Sequence, residues 1–207
     1  MILTNCHRVA ILFFGLLVAA RFSFALTSAP SSSTFTDSLK QSSITVLIVY
    51  YSHTGNTEKL AHAVAEGAQT VPFVTVLTKT PEEVTEADLK NADALLLGSP
   101  TYFGNMAAQM KAFIDDWWFK YRVPLVDKVG GAFSSGGDET GGKEHVIHSF
   151  IIAMMNAGMI IVGPLEESYG LPGVSALDPV TEKALKEARA LGERAANLAR
   201  RVRTGSR

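Results

Sequence analysis

The chain contains 207 residues, of which 19 are Lys or Arg and 20 are Asp or Glu, so its formal net charge at neutral pH is −1. A surface without excess positive charge argues against a nucleic-acid partner. The length suits one domain with one hydrophobic core. A single cysteine, Cys6, excludes an intramolecular disulfide.

Residues 1–25 have the pattern of a secretory signal peptide. His7 and Arg8 precede a short apolar run, Val9–Ala20, which is too short to span a bilayer comfortably. Small residues at Ser23 and Ala25 then indicate cleavage after Ala25. Cleavage would remove two of the 19 basic residues and leave 17 against 20 acidic ones, a net charge of −3. The alternatives are a buried N-terminal helix and a tethering anchor.

Residues 26–43 are rich in Ser and Thr and have no hydrophobic periodicity. This composition predicts a disordered linker ahead of a folded domain at residues 44–207. It also suits the second half of a two-part plastid targeting sequence, because transit peptides are rich in Ser and poor in acidic residues. Both interpretations place the protein outside the cytosol, either exported through the secretory pathway or in a plastid. Neither leaves a stable membrane span in the mature form.

The rest of the chain alternates predicted strands and helices. The strands are predicted at Ile44–Tyr50, Phe73–Leu77, Ala92–Leu97, Val129–Ser134 and Met159–Val162. Between and after them lie an acidic helix or turn at Pro81–Leu89 and helices marked by apolar stripes at Leu60–Ala68, Met106–Trp117, Val146–Met154 and Ala184–Val202. Asn105 is the predicted N-cap of the helix at Met106–Trp117, and Asp178-Pro179 is predicted to open the last helix. The alternation predicts a parallel sheet covered by helices on both faces.

The loop after the first strand has the composition of a phosphate cradle. It consists of Ser52, His53, Thr54, Gly55, Asn56 and Thr57. Its amides and the first-turn amides of the following helix would point at one spot, which the helix dipole makes attractive to an anion. The loop lacks the Lys of the nucleoside-triphosphate loop and the G-x-G-x-x-G of dinucleotide sites. It therefore favours a monophosphate that stays bound, although a plain polar turn is the alternative.

Three stretches resemble the flavodoxin superfamily and, within it, the WrbA-like (type IV) NAD(P)H:quinone oxidoreductases. They are Tyr51–Thr57, Gly98–Asp115, and the run that begins at Ala132 and continues to Gly163. The resemblance implies FMN as cofactor, NAD(P)H as electron donor, and a quinone or similar small acceptor. It also implies an α/β flavodoxin-like three-layer sandwich, with a five-stranded parallel sheet in the order 2-1-3-4-5 and helices on both faces.

In such a fold the ligand lies beyond the carboxyl ends of strands 1, 3 and 4. Two further loops are therefore expected beside the flavin. The loop after the third strand, expected along the ring, contains Pro100, Thr101, Tyr102, Phe103 and Gly104. The loop after the fourth strand, expected at the other edge of the ring, contains Ser134, Ser135, Gly136 and Gly137. Tyr102 is the candidate for aromatic contact with the flavin.

No protein side chain is assigned a catalytic role, because the flavin supplies the chemistry, and no metal site is predicted. His145 and His148 have helical spacing but no third ligand. The resemblance also implies a ring-facing histidine just before the Gly158–Val162 stretch, where this chain has Met154–Gly158. That departure leaves both quinone reduction and assembly into an oligomer open.

Three functions remain open at this point: an FMN-dependent NAD(P)H:quinone oxidoreductase, a flavodoxin-like carrier that passes single electrons to a redox protein partner, and a flavin-binding interaction protein. The acidic pair Asp138-Glu139 discriminates between the first two. Negative charge near the ring would disfavour a negatively charged reduced flavin, and an acidic rim suits basic protein partners. The motifs outside that loop favour the oxidoreductase.

Overall fold

The structure, a computed structural model, describes residues 43–163, 170 and 172–205. The predicted signal peptide and all but the last residue of the predicted linker lie outside the described residues. The strands are β1 (Ile44–Tyr50), β2 (Val74–Lys79), β3 (Ala94–Tyr102), β4 (Asn105–Met106), β5 (Val129–Gly136), β6 (Ile160–Ile161) and β7 (Val174–Leu177). The α-helices are α1 (Asn56–Gln69), α2 (Glu86–Asn91), α3 (Ala108–Asp116), α4 (Lys143–Asn156) and α5 (Glu182–Thr204). A 3₁₀ turn at Pro81–Glu83 precedes α2, and a π-helical turn at Trp117–Tyr121 continues α3.

The sheet has the predicted order. Its main path runs β2-β1-β3-β5-β6 with every pair parallel, which corresponds to the expected 2-1-3-4-5. The strand count differs from the prediction, because β4 adds an antiparallel pair to β3 and the fifth position of the sheet is divided between two segments. Ile160 and Ile161 pair with the start of β5, whereas β7 pairs with its carboxyl half. The predicted fifth strand therefore lies beside β5 as expected, but it pairs only with the start of β5, and β7 pairs with the rest.

Helices cover both faces of the sheet and form the predicted three layers. Side chains of β1 alternate between two apolar cores: Val46 and Ile48 pack with α1 and α5, while Leu47 and Val49 pack with α3 and α4. This alternation is the period of two expected of a strand buried on both faces. In the first core, α1 and α5 approach so closely that a Cβ on Gly192 would lie 1.9 Å from the Val64 carbonyl oxygen. Glycine is therefore required for this contact between the helices.

Two predicted helix starts are wrong. Asn105 does not cap α3: it belongs to β4, pairs with Tyr102, and the helix begins at Ala108. The Asp178-Pro179 pair does not open α5 either, because the helix begins at Glu182 and its N-cap is Thr181, whose hydroxyl accepts from the Ala184 amide at 3.3 Å. The local signals at Asn105 and Asp178 were genuine turn signals. In the fold, Asn105 pairs with β3 and the Asp178 amide donates to the Gly136 carbonyl of β5, so the sheet uses both residues before the helices start.

Among the described residues, no helix combines the length and the apolar character needed to cross a membrane.

Candidate functional site

Parallel strands bring the three predicted loops to one edge of the sheet. The loop after β1 begins at Tyr51, whose amide donates to the Gly98 carbonyl of β3 at 3.1 Å. The ends of β3 and β5 are in register, with Ser99 opposite Ser134 and Pro100 opposite Ser135. The loops after β1, β3 and β5 therefore meet at this edge, which we call the carboxyl edge. The edge of an open α/β sheet at which such loops converge is the usual ligand site.

The cradle after β1 has the geometry of an anion site. Gly55 is the N-cap of α1 in the left-handed region, with φ 85°, and no side chain caps the first turn of the helix. The Gly55 backbone amide donates to the Ser52 hydroxyl at 3.1 Å, and the side-chain amide of Asn56 donates to the Thr54 hydroxyl at 3.4 Å. His53 and Thr54 are exposed. First-turn amides without a side-chain cap are available to a phosphate group.

Thr57 links the cradle to the third loop. Its side chain is only 1% exposed, and its hydroxyl lies 3.0 Å from the Ser135 hydroxyl across the edge of the sheet. One of the two hydroxyls donates to the other, which leaves the second proton for another acceptor. This contact therefore holds the first and third loops against each other. The position of Thr57 in the sequence does not reveal this role.

The loop after β3 is a tight hairpin. Tyr102 pairs with Asn105, and the two residues between them, Phe103 and Gly104, have φ 49° and 78°. Positive φ at both central positions is the requirement of a type I′ turn, which glycine meets readily and phenylalanine rarely does. Phe103 is fully exposed at the tip, while Thr101 is half-buried. The hairpin thus presents an aromatic side chain to solvent beside the carboxyl edge.

Buried hydroxyls join this hairpin to β5. The Ser134 hydroxyl donates to the Ser99 carbonyl at 2.9 Å and lies 3.0 Å from the Thr101 hydroxyl. The Ser99 hydroxyl donates to the Pro100 carbonyl at 2.7 Å and accepts from the Ala107 amide at 2.9 Å. Ser99 was not among the predicted site residues. Its signal was a serine directly after an apolar strand, next to a proline.

Two further side chains influence Tyr102 electrostatically. Burial raises the pKa of the Tyr102 phenol, and the nearby Tyr51 and Asp178 raise it further. The Asp178 amide donates to the Gly136 carbonyl at 3.0 Å, so the end of β7 also belongs to the carboxyl edge. One carboxylate oxygen of Asp178 is buried and has no hydrogen-bond partner among the residues that the structure describes. Sequence reasoning missed Asp178 as a site residue because it was interpreted as a helix cap.

The loop after β5 is folded around Lys143, the first residue of α4. The Lys143 ammonium donates to the Asp138 carbonyl and, at 3.2 Å, to the Glu139 carbonyl. The Asp138 carboxylate instead accepts from the Thr140 amide at 2.8 Å and from the Thr140 hydroxyl at 3.0 Å, and these contacts lower the pKa of Asp138. Ser134, Ser135 and Gly136 are buried in β5, and Gly137 is exposed after it.

The second and third loops touch each other through glycines. A Cβ on Gly142, which has φ 94°, would lie 3.0 Å from the Gly104 Cα. Gly136 lies between Thr101 and the stem of Lys143, at 3.5 Å and 3.1 Å from the position that its Cβ would occupy. Larger side chains at these positions would push the two loops apart. The glycines therefore let the second and third loops approach each other closely.

The edge fits FMN in the chemistry of its donors and acceptors. The amides at the start of α1 suit a phosphate group, and the cradle contributes neutral hydroxyls in place of a lysine. The unpartnered oxygen of Asp178 is an acceptor for a hydroxyl of a sugar-like chain. Tyr102 and Phe103 provide aromatic surface for a planar ring. A flavin mononucleotide contains these three chemical groups in one molecule, and the fold and site define a flavodoxin-like flavoprotein.

Comparison with known proteins shows the family. Residues 43–168 match the family described as NADPH-dependent FMN reductase, and the chain belongs to that family. Over 158 residues it is 37% identical to the NAD(P)H dehydrogenase (quinone) 3 of Rhizobium meliloti, a match that covers 66% of this chain and 72% of that protein. FMN is the cofactor of this flavodoxin-like, WrbA-type group.

Two solved structures have the same fold. The WrbA-like flavodoxin from Agrobacterium tumefaciens is 30% identical with a TM-score of 0.62, and the match covers 77% of this chain and 99% of that one. An archaeal flavodoxin is 27% identical with a TM-score of 0.65, and the match covers 75% and 99% of the two chains.

Other residues singled out in the sequence lie away from the edge or are paired on the surface. His145 and His148 are exposed on α4, and the described residues contain no group of three or more potential metal ligands. Asp115 accepts from Lys111 at 2.7 Å, and Asp116 lies 3.6 Å from Lys120. Met154–Gly158 ends α4 next to Val126 and Asp127, at the opposite, amino edge of the sheet. A residue there cannot face a ring bound at the carboxyl edge of the same chain.

The first prediction concerns the phosphate group. Thr54→Ala should weaken FMN binding about ten- to a hundredfold and leave riboflavin binding nearly unchanged, because the exposed hydroxyl donates only to a charged phosphate. Titration of each ligand by fluorescence quenching measures this. Thr57→Ala should also weaken FMN binding, and Thr57→Ser is the matched control, since it keeps the hydroxyl that meets Ser135. Equal losses for FMN and riboflavin in Thr54→Ala would contradict the assignment.

Proposed function

We propose that this protein is an FMN-dependent oxidoreductase that transfers a hydride from NAD(P)H to its flavin and two electrons from the flavin to a quinone. The observation that carries the proposal is the exposed hairpin Tyr102–Asn105 beside an edge whose polar groups suit FMN. Relatives of this chain carry the name NAD(P)H dehydrogenase (quinone), which supports the same activity.

The residues of the chain would bind and orient the flavin and its substrates, and the flavin supplies the redox chemistry when it is bound. The cradle at Ser52–Thr57 would hold the phosphate group, and the two loops beyond it would hold the ring edges. The aromatic side chains of Tyr102 and Phe103 provide a surface on which a flat nicotinamide or quinone can pack. The same open face would serve donor and acceptor in turn, so the proposal includes no protein acid or base.

A flavodoxin-like electron carrier is the alternative, and the likeness to an archaeal flavodoxin favours it. The acidic pair Asp138-Glu139 does not strengthen that alternative as expected. Both residues are exposed, and the Asp138 carboxylate is bonded within its own loop to Thr140. Exposed charges act weakly on a ring because water and salt screen them. The charge that is buried in this loop is the positive one of Lys143.

The test is an anaerobic turnover assay with purified protein reconstituted with FMN. NADH or NADPH should be consumed at least ten times faster when a soluble benzoquinone is added, at rates of about 1 to 1,000 per second that are ordinary for enzymes. The absorption spectrum of the protein shows beforehand that FMN is bound. An FMN-loaded protein that oxidises both nicotinamides slowly, whether or not quinone is present, would be a carrier and would contradict the proposal.

We also propose that the protein forms a homo-oligomer through an apolar patch at the amino edge. The patch consists of Trp118, Phe119, Val126, Ile152 and Met155, all exposed, and Trp118 is 79% exposed. Contiguous exposed apolar surface of this kind is rare on monomers. Charged side chains of the neighbouring helix are paired within the chain, Lys111 with Asp115 and Lys120 with Asp116, so the apolar side chains would carry the contact. A two-fold rotation would bring the patch of one copy against that of a second copy.

The expected oligomer is tested by light scattering coupled to gel filtration. The wild-type mass should be at least twice the mass of one chain. Trp118→Glu should yield a monomer because it would bury a charge in the interface. Thr140→Glu, an equal change at an exposed position on the opposite edge, is the control and should not alter the mass. A monomeric wild-type protein would contradict the proposal.

Export through the secretory pathway, or delivery to a plastid, is a further proposal, which rests on the composition of residues 1–43. N-terminal analysis of the protein from its native source should find a chain that begins near Leu26 or later. Full-length chain in a soluble cytosolic fraction would contradict it.

A further inference from the structure

Lys143 is a buried lysine in the proposed flavin site, and no sequence motif singled it out. Lys143 is only 4% exposed, although lysine is among the residues least often buried. Its ammonium donates to the carbonyls of Asp138 and Glu139, and its stem packs against Gly136, the buried last residue of β5. The ammonium therefore lies directly behind the loop expected at one edge of the flavin ring.

The charge of Lys143 is not neutralised by an ion pair. In the described parts of the chain no carboxylate lies within ion-pairing distance of its ammonium, whose hydrogen-bond partners are the two carbonyls. Lys143 interacts electrostatically with the Asp138 carboxylate, which is exposed and accepts hydrogen bonds from Thr140. Lys143 is also the first residue of α4, where the helix dipole is positive and disfavours a cation.

A buried cation without a counter-ion is costly unless another negative charge compensates for it. A ring that gains negative charge on reduction would provide one. The field of a buried charge is also felt more strongly than that of a surface charge, because the surrounding dielectric constant is low. The position of Lys143 therefore predicts an electrostatic effect on a ring bound at the carboxyl edge.

Lys143 also determines the orientation of the loop. In a trans peptide the C=O and N–H groups point in opposite directions. The Asp138 carbonyl points towards the ammonium, so the N–H of Glu139 points away from it. The Gly141 amide donates to the same Asp138 carbonyl at 3.3 Å, so Lys143 and Gly141 together turn an amide donor to the outer side of the loop. A variant without the ammonium loses one of the two donors that hold this peptide.

We propose that Lys143 is a positioning residue that orients the Asp138–Glu139 peptides at the flavin edge and, through its buried positive charge, raises the reduction potential of bound FMN. The inference rests on the FMN site described above. It assigns the buried charge to stabilisation of the reduced cofactor, the state in which the flavin passes electrons to the acceptor.

The test measures the midpoint potential of bound FMN by equilibration with reference dyes, with oxidised FMN affinity measured separately. Lys143→Gln removes the charge and keeps an N–H donor, whereas Lys143→Met removes both and suits a buried site. Both variants should lower the preference for reduced over oxidised FMN at least tenfold, which is about 30 mV for a two-electron couple. Lys143→Met alone should also weaken the binding of oxidised FMN, because only it removes the side-chain donor to the Asp138 and Glu139 carbonyls.

Lys128 provides a matched control. It is half-buried, and its ammonium also donates to two backbone carbonyls, those of Lys90 and Ala92, but it precedes β5 at the amino edge of the sheet. Lys128→Gln should leave the potential unchanged. Lys143→Arg keeps the charge and should retain the wild-type potential even if its larger side chain weakens FMN binding.

The outcomes separate this inference from the FMN site itself. If wild-type protein does not bind FMN, the site assignment fails. If it binds FMN and both neutral variants, folded by thermal melting and loaded with FMN, have the wild-type potential, the role of Lys143 is wrong. A shift in Lys128→Gln as large as that in Lys143→Gln would overturn the proposal as well, because the effect would then come from net charge and not from the position of Lys143.

Discussion

The buried hydroxyl contacts at the carboxyl edge are the constraint on which the rest of the site depends. Ser134 bonds to β3 through the Ser99 carbonyl and meets the Thr101 hydroxyl, while Ser135 meets Thr57 of the cradle. Polar groups buried at this edge need partners, since each unpaired one would cost about 1–3 kcal/mol. The hydroxyls satisfy one another only when β1, β3 and β5 end in the observed register. The loops therefore take their relative positions from the sheet.

Glycine is used at the same edge for two different reasons. Gly55 and Gly104 take positive φ values that most residues avoid, and they form the cradle and the hairpin turn. Gly136 leaves space for the Lys143 stem, which would lie only 3.1 Å from a Cβ at this position. Phe103 adopts a positive φ without being glycine. Strain of this kind at an exposed aromatic residue is more common at functional sites than elsewhere.

The electrostatics of the third loop differ from what its sequence suggests. Read along the chain, Asp138-Glu139 makes the loop acidic. In the fold, both acidic side chains are exposed, while the lysine that follows them is buried. Because burial decides how strongly a charge acts on its surroundings, one buried ammonium outweighs two solvated carboxylates. This reversal favours an oxidoreductase over an electron carrier that presents an acidic rim to its partner.

The resemblance to the flavodoxin superfamily implied the strand order, which the sheet confirms. The sequence by itself determined the α/β class, the parallel sheet and the polar loops that follow its strands. These follow from local signals: the apolar run Ile44–Tyr50, the alternation of periods, and the polar loop at Ser52–Thr57. Only the tertiary structure decided that β6 and β7 share one edge of β5, that Asn105 pairs with Tyr102, and that Asp178 and Lys143 belong to the site. The physical reason is that strand pairing and burial depend on contacts between residues far apart in the chain. A local pattern at Asn105 or Asp178 fits a helix cap equally well until those contacts are known.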